Sequence, residues 1–223
     1  MAIILKEKEG IFSGVLGDFV FCTWKGKNYI RSKPKKSLLK KTVLQQRTIS
    51  KFKIMQAILN PILPYIRIGF KSYNPNLTSH NNAMSYNLKH AYHEKEGEIS
   101  INWEKFKISK GLEQPVEAYQ IQIDTDSGIL SISWKLNYDT VSKQKMKDFR
   151  CMALLISENI ASKSIFGILE GENISKGNQL IKIGQKTEDS NYHIYLSFYS
   201  DTQREECTES IYLGKIKINS LIG

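Results

Sequence analysis

A chain of 223 residues, 41% hydrophobic and 24% charged, is not a disordered polymer and has room for one large or two small domains. Its three cysteines, Cys22, Cys151 and Cys207, are too few and too far apart for a disulfide scaffold or a C-x-x-C metal or redox site. The net charge of +10 is unevenly held: residues 1–90 carry 16 Lys and Arg against Glu7, Glu9 and Asp18, whereas residues 91–223 carry 16 against 19 acids. Such an asymmetry points to a polyanion or an acidic protein as partner.

The apolar run at Met1–Leu5 is too short for a signal peptide, and no stretch approaches the roughly 18 apolar residues of a membrane span, so a cytoplasmic protein without membrane association is expected. Strand signals come first. Phe19–Trp24 is a β-branched and aromatic run, Lys25-Gly26-Lys27 reads as a turn, and Asn28–Arg31 returns as the second strand of a hairpin. Pro34 and the surrounding lysines end it.

From Thr42 the period changes to that of a helix. Phe52, Met55, Ile58, Leu59, Ile62, Leu63 and Ile66 form an apolar stripe, and Pro61 and Pro64 predict a kink or two abutting helices near Asn60. Gly69 is the expected stop. Ser79 is the expected N-cap of a further helix presenting Ala83, Met84, Asn87, Leu88 and Ala91 on one face. Ile99, Ile101 and Trp103 make a candidate strand that Phe106 and Ile108 extend.

After Pro115, seven strands are expected: Ala118–Ile123, Ile129–Leu136, Phe149–Ser157, Lys163–Glu170, Gln179–Ile183, Tyr192–Tyr199 and Ile211–Ile218. Their number and spacing suggest an immunoglobulin-like or fibronectin-III-like sandwich. Trp134 resembles the core tryptophan of fibronectin-III-like domains, and Thr187 through Tyr192 resembles their tyrosine corner. The fold class expected is an α+β N-terminal part over residues 1–112, basic and built of a hairpin plus helices, followed by an all-β sandwich over residues 113–223.

The segments Gly10-Ile11-Phe12-Ser13-Gly14, Lys25-Gly26-Lys27 through Arg31 and Pro34, Gln45-Gln46-Arg47, Leu59-Asn60-Pro61 and Ile66-Arg67-Ile68-Gly69-Phe70 resemble signatures of an uncharacterised family of the Bacteroidota. Asn82 through Asn87 and Ile108-Ser109-Lys110-Gly111 resemble later ones. That resemblance covers roughly the first half and implies no catalytic residue.

The strongest candidate for chemistry is a cationic stretch interleaved with aromatics: Trp24, Lys25, Lys27, Tyr29, Arg31, Lys33, Lys35, Lys36, Lys40, Lys41 and Arg47. Cations on a hairpin can meet phosphates and an exposed ring can stack on a base. The same lysines can instead protect a sheet edge or meet an acidic protein. His90 and His93, three apart, with His80 upstream, match no established metal-ligand pattern. His193 stands alone in its strand. Asp124 and Asp126 start like a calcium loop, but Ser127 and Gly128 come one residue early, so a turn is the better account. Cys22 reads as a core residue, and Cys207 lies among acids that disfavour a thiolate. No nucleophile elbow or phosphate-cradling glycine loop is present. The expectation is a non-enzymatic binding or assembly module that takes no cofactor or metal and meets another protein. A sequence-neutral nucleic-acid-binding protein is the alternative, and an enzyme of unrecognised class comes third.

Overall fold

Phe19–Trp24 forms a strand as its β-branched and aromatic composition requires, and it sits at the centre of a small antiparallel sheet. The computed structural model describes residues 13–24, 26–35, 40–95, 98–124, 127–183, 190–200 and 206–218. They fall into two compact units, Met1–Val43 and Leu44–Gly223. The first contains β1 (Gly14–Leu16), β2 (Phe19–Trp24) and β3 (Lys27–Ser32), ordered β1-β2-β3. Gly26 closes the β2–β3 hairpin at φ +74°, a left-handed conformation that glycine adopts without a Cβ penalty.

The second unit opens with helices. The apolar stripe folds as α1 (Val43–Leu59) and α2 (Leu63–Gly69), separated by Asn60-Pro61-Ile62. Pro64 lies in the first turn of α2, where a missing N–H costs nothing. Gly69 is the last residue of α2, and it must be small: a Cβ there would lie 2.2 Å from the Ile108 carbonyl oxygen. In α3 (Ser79–His90) the N-cap is Thr78, one residue before the expected Ser79; its hydroxyl accepts the Asn81 N–H. A hairpin of β4 (Tyr92–Lys95) and β5 (Glu98–Ile101) follows. Phe106 and Ile108 do not extend β5; they lie in the connection after it, fully buried.

Two antiparallel sheets complete this unit. One has the order β10-β7-β6, from β6 (Val116–Asp124), β7 (Ile129–Leu136) and β10 (Asn178–Lys182). The other has the order β12-β11-β8-β9, from β8 (Phe149–Ser157), β9 (Ile165–Ile168), β11 (Ser190–Ser200) and β12 (Ile211–Ile218). All seven expected strands form, β7, β8 and β12 with the expected bounds. A short helix, α4 (Tyr138–Lys143), capped by Asn137, was not expected.

Between the sheets lies one apolar core. Leu130, Ile132, Trp134 and Leu136 of β7 face Phe149, Cys151, Ala153 and Leu155 of β8 and Tyr192, Ile194, Leu196 and Phe198 of β11. The opposite face of the four-stranded sheet is buried as well. There Met152, Leu154, Ile156 and Tyr195 pack against Met55, Ile58, Leu59, Ile62 and Ile66 from the helices. A strand covered on both faces needs apolar side chains at successive positions, which accounts for the unbroken run Cys151–Ile156.

This shared core explains why the compact units divide at Val43/Leu44 and not at the expected residue 112. The segment before the sandwich is also stitched to the β11–β12 connection. The Leu112 N–H donates to the Cys207 carbonyl, the Glu209 N–H to the Leu112 carbonyl, and Lys107 and Lys110 both pair with Glu209. Residues 44–112 are therefore a layer of the second unit.

Candidate functional site

The pairing register of the first sheet decides which of the cationic and aromatic residues act together. Trp24 lies opposite Lys27, Cys22 opposite Tyr29 and Val20 opposite Arg31. Directly paired residues share a face, as do residues two apart on one strand. Trp24, Lys27, Tyr29 and Arg31 therefore stand on one face, which Cys22 and Val20 share as the direct neighbours of Tyr29 and Arg31. Trp24 is 49% exposed and Tyr29 45%, and Lys27 and Arg31 are exposed. Trp24 and Tyr29 are diagonal neighbours, roughly 7–8 Å apart. Along β3 the order is cation, ring, cation, and Lys27 and Arg31 stand about 13 Å apart at 3.3 Å per residue.

Lys33 and Lys35 follow the strand and Lys40 and Lys41 precede α1; all four are exposed. Lys25 and Lys36 lie outside the described residues. Arg47 belongs to α1 in the second unit and is half-buried, so the first sheet's face does not include it. The sequence of the first unit holds ten basic side chains against three acids.

Sequence reasoning missed a second feature of this sheet. Val15, Leu16 and Phe19 are all exposed, although Leu16-Gly17-Asp18-Phe19 is an apolar pair flanking a Gly-Asp turn and could have been read as a tight hairpin.

A family described as being of unknown function, DUF6266, matches residues 11–214. The chain belongs to this family. The matched span runs from the approach to β1 as far as Gly214 in β12, so it takes in the basic sheet and both larger sheets except the last four residues of β12. No curated protein matches the chain.

Other candidate positions find structural roles. His193 has partners, contrary to expectation: it is buried, stacks on Trp103, and its Nδ1 lies 2.9 Å from the Tyr212 hydroxyl. These partners come from distant segments, beyond the reach of local pattern. Burial depresses the His193 pKa to about 4, with Lys215 adding to the shift and Glu158 opposing it. His90 ends α3 with its ring tilted against that of Tyr86, whereas His93 lies on β4, so the two do not share a helix face. Among the described residues no group of His, Cys, Asp or Glu is arranged to hold a metal ion. Asp124 closes a turn, accepting from the Ser127 N–H and hydroxyl, with Gly128 at φ +64°; Asp126 lies outside the described residues.

The buried cysteines are thiols. Burial raises the Cys151 pKa, and it pushes that of Cys207 up to about 12 against the opposing effect of the Lys110 backbone. The Cys207 Sγ–H donates to the Gly69 carbonyl at 3.0 Å. Cys22 is half-buried. Tyr192 is fully buried with its hydroxyl 2.9 Å from Ser164 Oγ, while residues 187–189 of the expected corner lie outside the described residues. No described helix is long and apolar enough to cross a membrane.

Proposed function

We propose that this protein is a non-enzymatic binding module in which the face of the N-terminal sheet engages a polyanion, and the helix-covered sandwich serves as scaffold. The observation that carries this reading is the single face bearing Trp24, Lys27, Tyr29 and Arg31, both rings about half exposed. Cations over a flat surface attract phosphate or sulfate through a term that salt weakens. Exposed rings give that attraction a place to be converted into contact.

The scaffold reading rests on topology. With the seven sandwich strands lettered in order, the first, second and fifth form one sheet and the third, fourth, sixth and seventh the other. The fourth strand pairs with the third and not with the fifth, which departs from the constant-type immunoglobulin arrangement. The burial of Trp134 against Phe198 further supports a fibronectin-III-like fold. Sandwiches of this kind serve many functions, so the ligand is argued from the sheet face and not from the fold.

The test is fluorescence anisotropy of labelled heparin against the full chain from about 50 to 300 mM salt, beside a variant carrying Gln at Lys27, Arg31, Lys33 and Lys35. Micromolar binding that falls steeply with salt and weakens at least tenfold in the variant is expected. No binding at the lowest salt, or equal binding by the variant, would overturn the reading.

A second reading, assembly with another protein, is favoured by exposed Val15, Leu16 and Phe19 at the β1–β2 end of the sheet, where Val15 stands in the row of Arg31 and Leu16 and Phe19 lie on the opposite face. Association through that end would persist at high salt and be lost on Leu16→Ser with Phe19→Ser, as read by light scattering.

A further inference from the structure

Resting on the polyanion-binding reading, we infer that the ligand of this face is single-stranded nucleic acid, with bases stacked on Trp24 and Tyr29 and phosphates along Lys27 and Arg31. A nucleic-acid duplex offers the sheet its phosphates, because its base faces are already stacked on one another, and a sulfated sugar offers charge and C–H groups but no π-face. Neither ligand can lay a base on each of the two half-exposed rings. A single strand offers bases that can leave their own stack and lie on an aromatic ring, an interaction open to every base because each has a π-face.

The spacing fits this use. The two residues are diagonal neighbours, positions roughly 7–8 Å apart across the strands, so each can present its ring to a separate base. Lys27 and Arg31 flank Tyr29 along β3, placing a cation on each side of the stacked base. Asn28, the amide side chain of β3, lies on the opposite face, where it is bonded to Thr23 across the hairpin. Among the described strand residues, this face therefore carries none of the amides that read adenine edges, and recognition is expected to be tolerant of sequence.

Trp24 also supplies the assay. Of the three tryptophans, Trp134 is buried and Trp103 is half-buried and stacked on His193, whereas Trp24 is 49% exposed, so its emission is the one expected to respond to ligand at this face. The full chain is titrated with oligothymidylate, a mixed-sequence duplex and heparin at about 50 mM salt, following tryptophan emission and anisotropy. Oligothymidylate is expected to quench the emission, and the quench to disappear in Trp24→Phe. Tyr29→Ala should weaken oligothymidylate roughly fivefold or more, the lower bound for one lost base stack, with the salt slope unchanged, while Tyr29→Phe should bind normally. Gln at Lys27 and Arg31 should lower the salt slope by about 1–2.

Equal binding of duplex and heparin, with no quench and no effect of Tyr29→Ala, would overturn the single-strand inference and leave the polyanion reading standing. Failure of all three ligands would overturn both. Loss of binding in Tyr29→Phe as well as Tyr29→Ala would also overturn it, since a ring would then not be what the ligand needs.

Discussion

The rings of Trp103 and His193 stack nearly parallel, with centroids 4.3 Å apart and planes inclined by 11°. The imidazole on β11 is thereby sealed by the segment that follows β5, and its Nδ1 is held at 2.9 Å from the Tyr212 hydroxyl. Its Nε2 is buried without a hydrogen-bond partner, 4.0 Å from a Glu158 carboxylate oxygen that itself pairs with Lys215. A charged imidazolium would be poorly solvated in this position, so the neutral form is the native one.

Stability should therefore fall with acid. The folded-state pKa of His193, about 4, lies below its ordinary value of 6.5, so the unfolded chain takes up the proton first. The contribution is complete above the ordinary value and declines as pH falls toward 4, by up to about 3 kcal/mol. Glu158, held below the usual carboxylate range chiefly by its hydrogen bond from Lys215, loses its contribution at still lower pH and so acts in the same direction. Urea midpoints from pH 7 to 4 should drop for the native chain and drop less for His193→Phe. Parallel curves for the two would contradict this assignment.

Trp134 should be the costliest core residue of the sandwich to truncate. It packs edge-on against Phe198 at 5.2 Å and its Nε1–H donates to the Ile174 carbonyl at 3.0 Å. Trp134→Ala is expected to lose about 3–5 kcal/mol in denaturant melts. Trp134→Phe should lose less, retaining the packing but leaving the Ile174 oxygen without this donor.

Gly69→Ala separates helix propensity from packing. In an exposed helix the substitution would stabilise by about 1 kcal/mol. Here the new Cβ meets the Ile108 oxygen at 2.2 Å and Ser109 Cβ at 2.6 Å, so destabilisation by about 1–3 kcal/mol is expected instead. A raised melting temperature would show that the 108–109 segment can retreat from α2.

Asn87 clips α3 to the segment below it. Its Nδ2 donates to the carbonyls of Ala83 and Lys107, and its Oδ1 accepts the Lys107 N–H at 2.9 Å. Asn87→Ala should cost about 2–4 kcal/mol, because two partly buried backbone groups of Lys107 and the buried Ala83 carbonyl lose these contacts. Asn87→Asp should cost at least as much, since it turns a carboxylate toward two carbonyl oxygens. A fully stable Asn87→Asp variant would show that water reaches the clip.

The legible parts of the sequence were those governed by local rules. The run Cys151–Ile156 reads as a buried strand, Pro61 and Pro64 break the helical stripe where α1 gives way to α2, and Lys25-Gly26-Lys27 marks the hairpin that carries the candidate face. Relationships between distant segments were not legible. No local pattern distinguishes a helix pair with its own core from one laid on β8 and β11, so residue 112 looked like a boundary. His193 looked isolated because Trp103 and Tyr212 lie on other segments. For the basic stretch, the sequence listed eleven candidate residues, but only the strand register showed that Trp24, Lys27, Tyr29 and Arg31 share a face, while Arg47 lies on α1 in the other unit.

The measurement that tests the account most directly is a nitrogen–proton spectrum of the tryptophan indoles, with three signals expected, recorded as heparin and then oligothymidylate are added to the full chain. Trp24→Phe assigns one signal. The account predicts that this signal moves on addition of ligand while those of Trp103 and Trp134 hold still. Movement of Trp103 or Trp134 with Trp24 unchanged, or no movement at saturating ligand, would contradict the placement of the binding face on the N-terminal sheet.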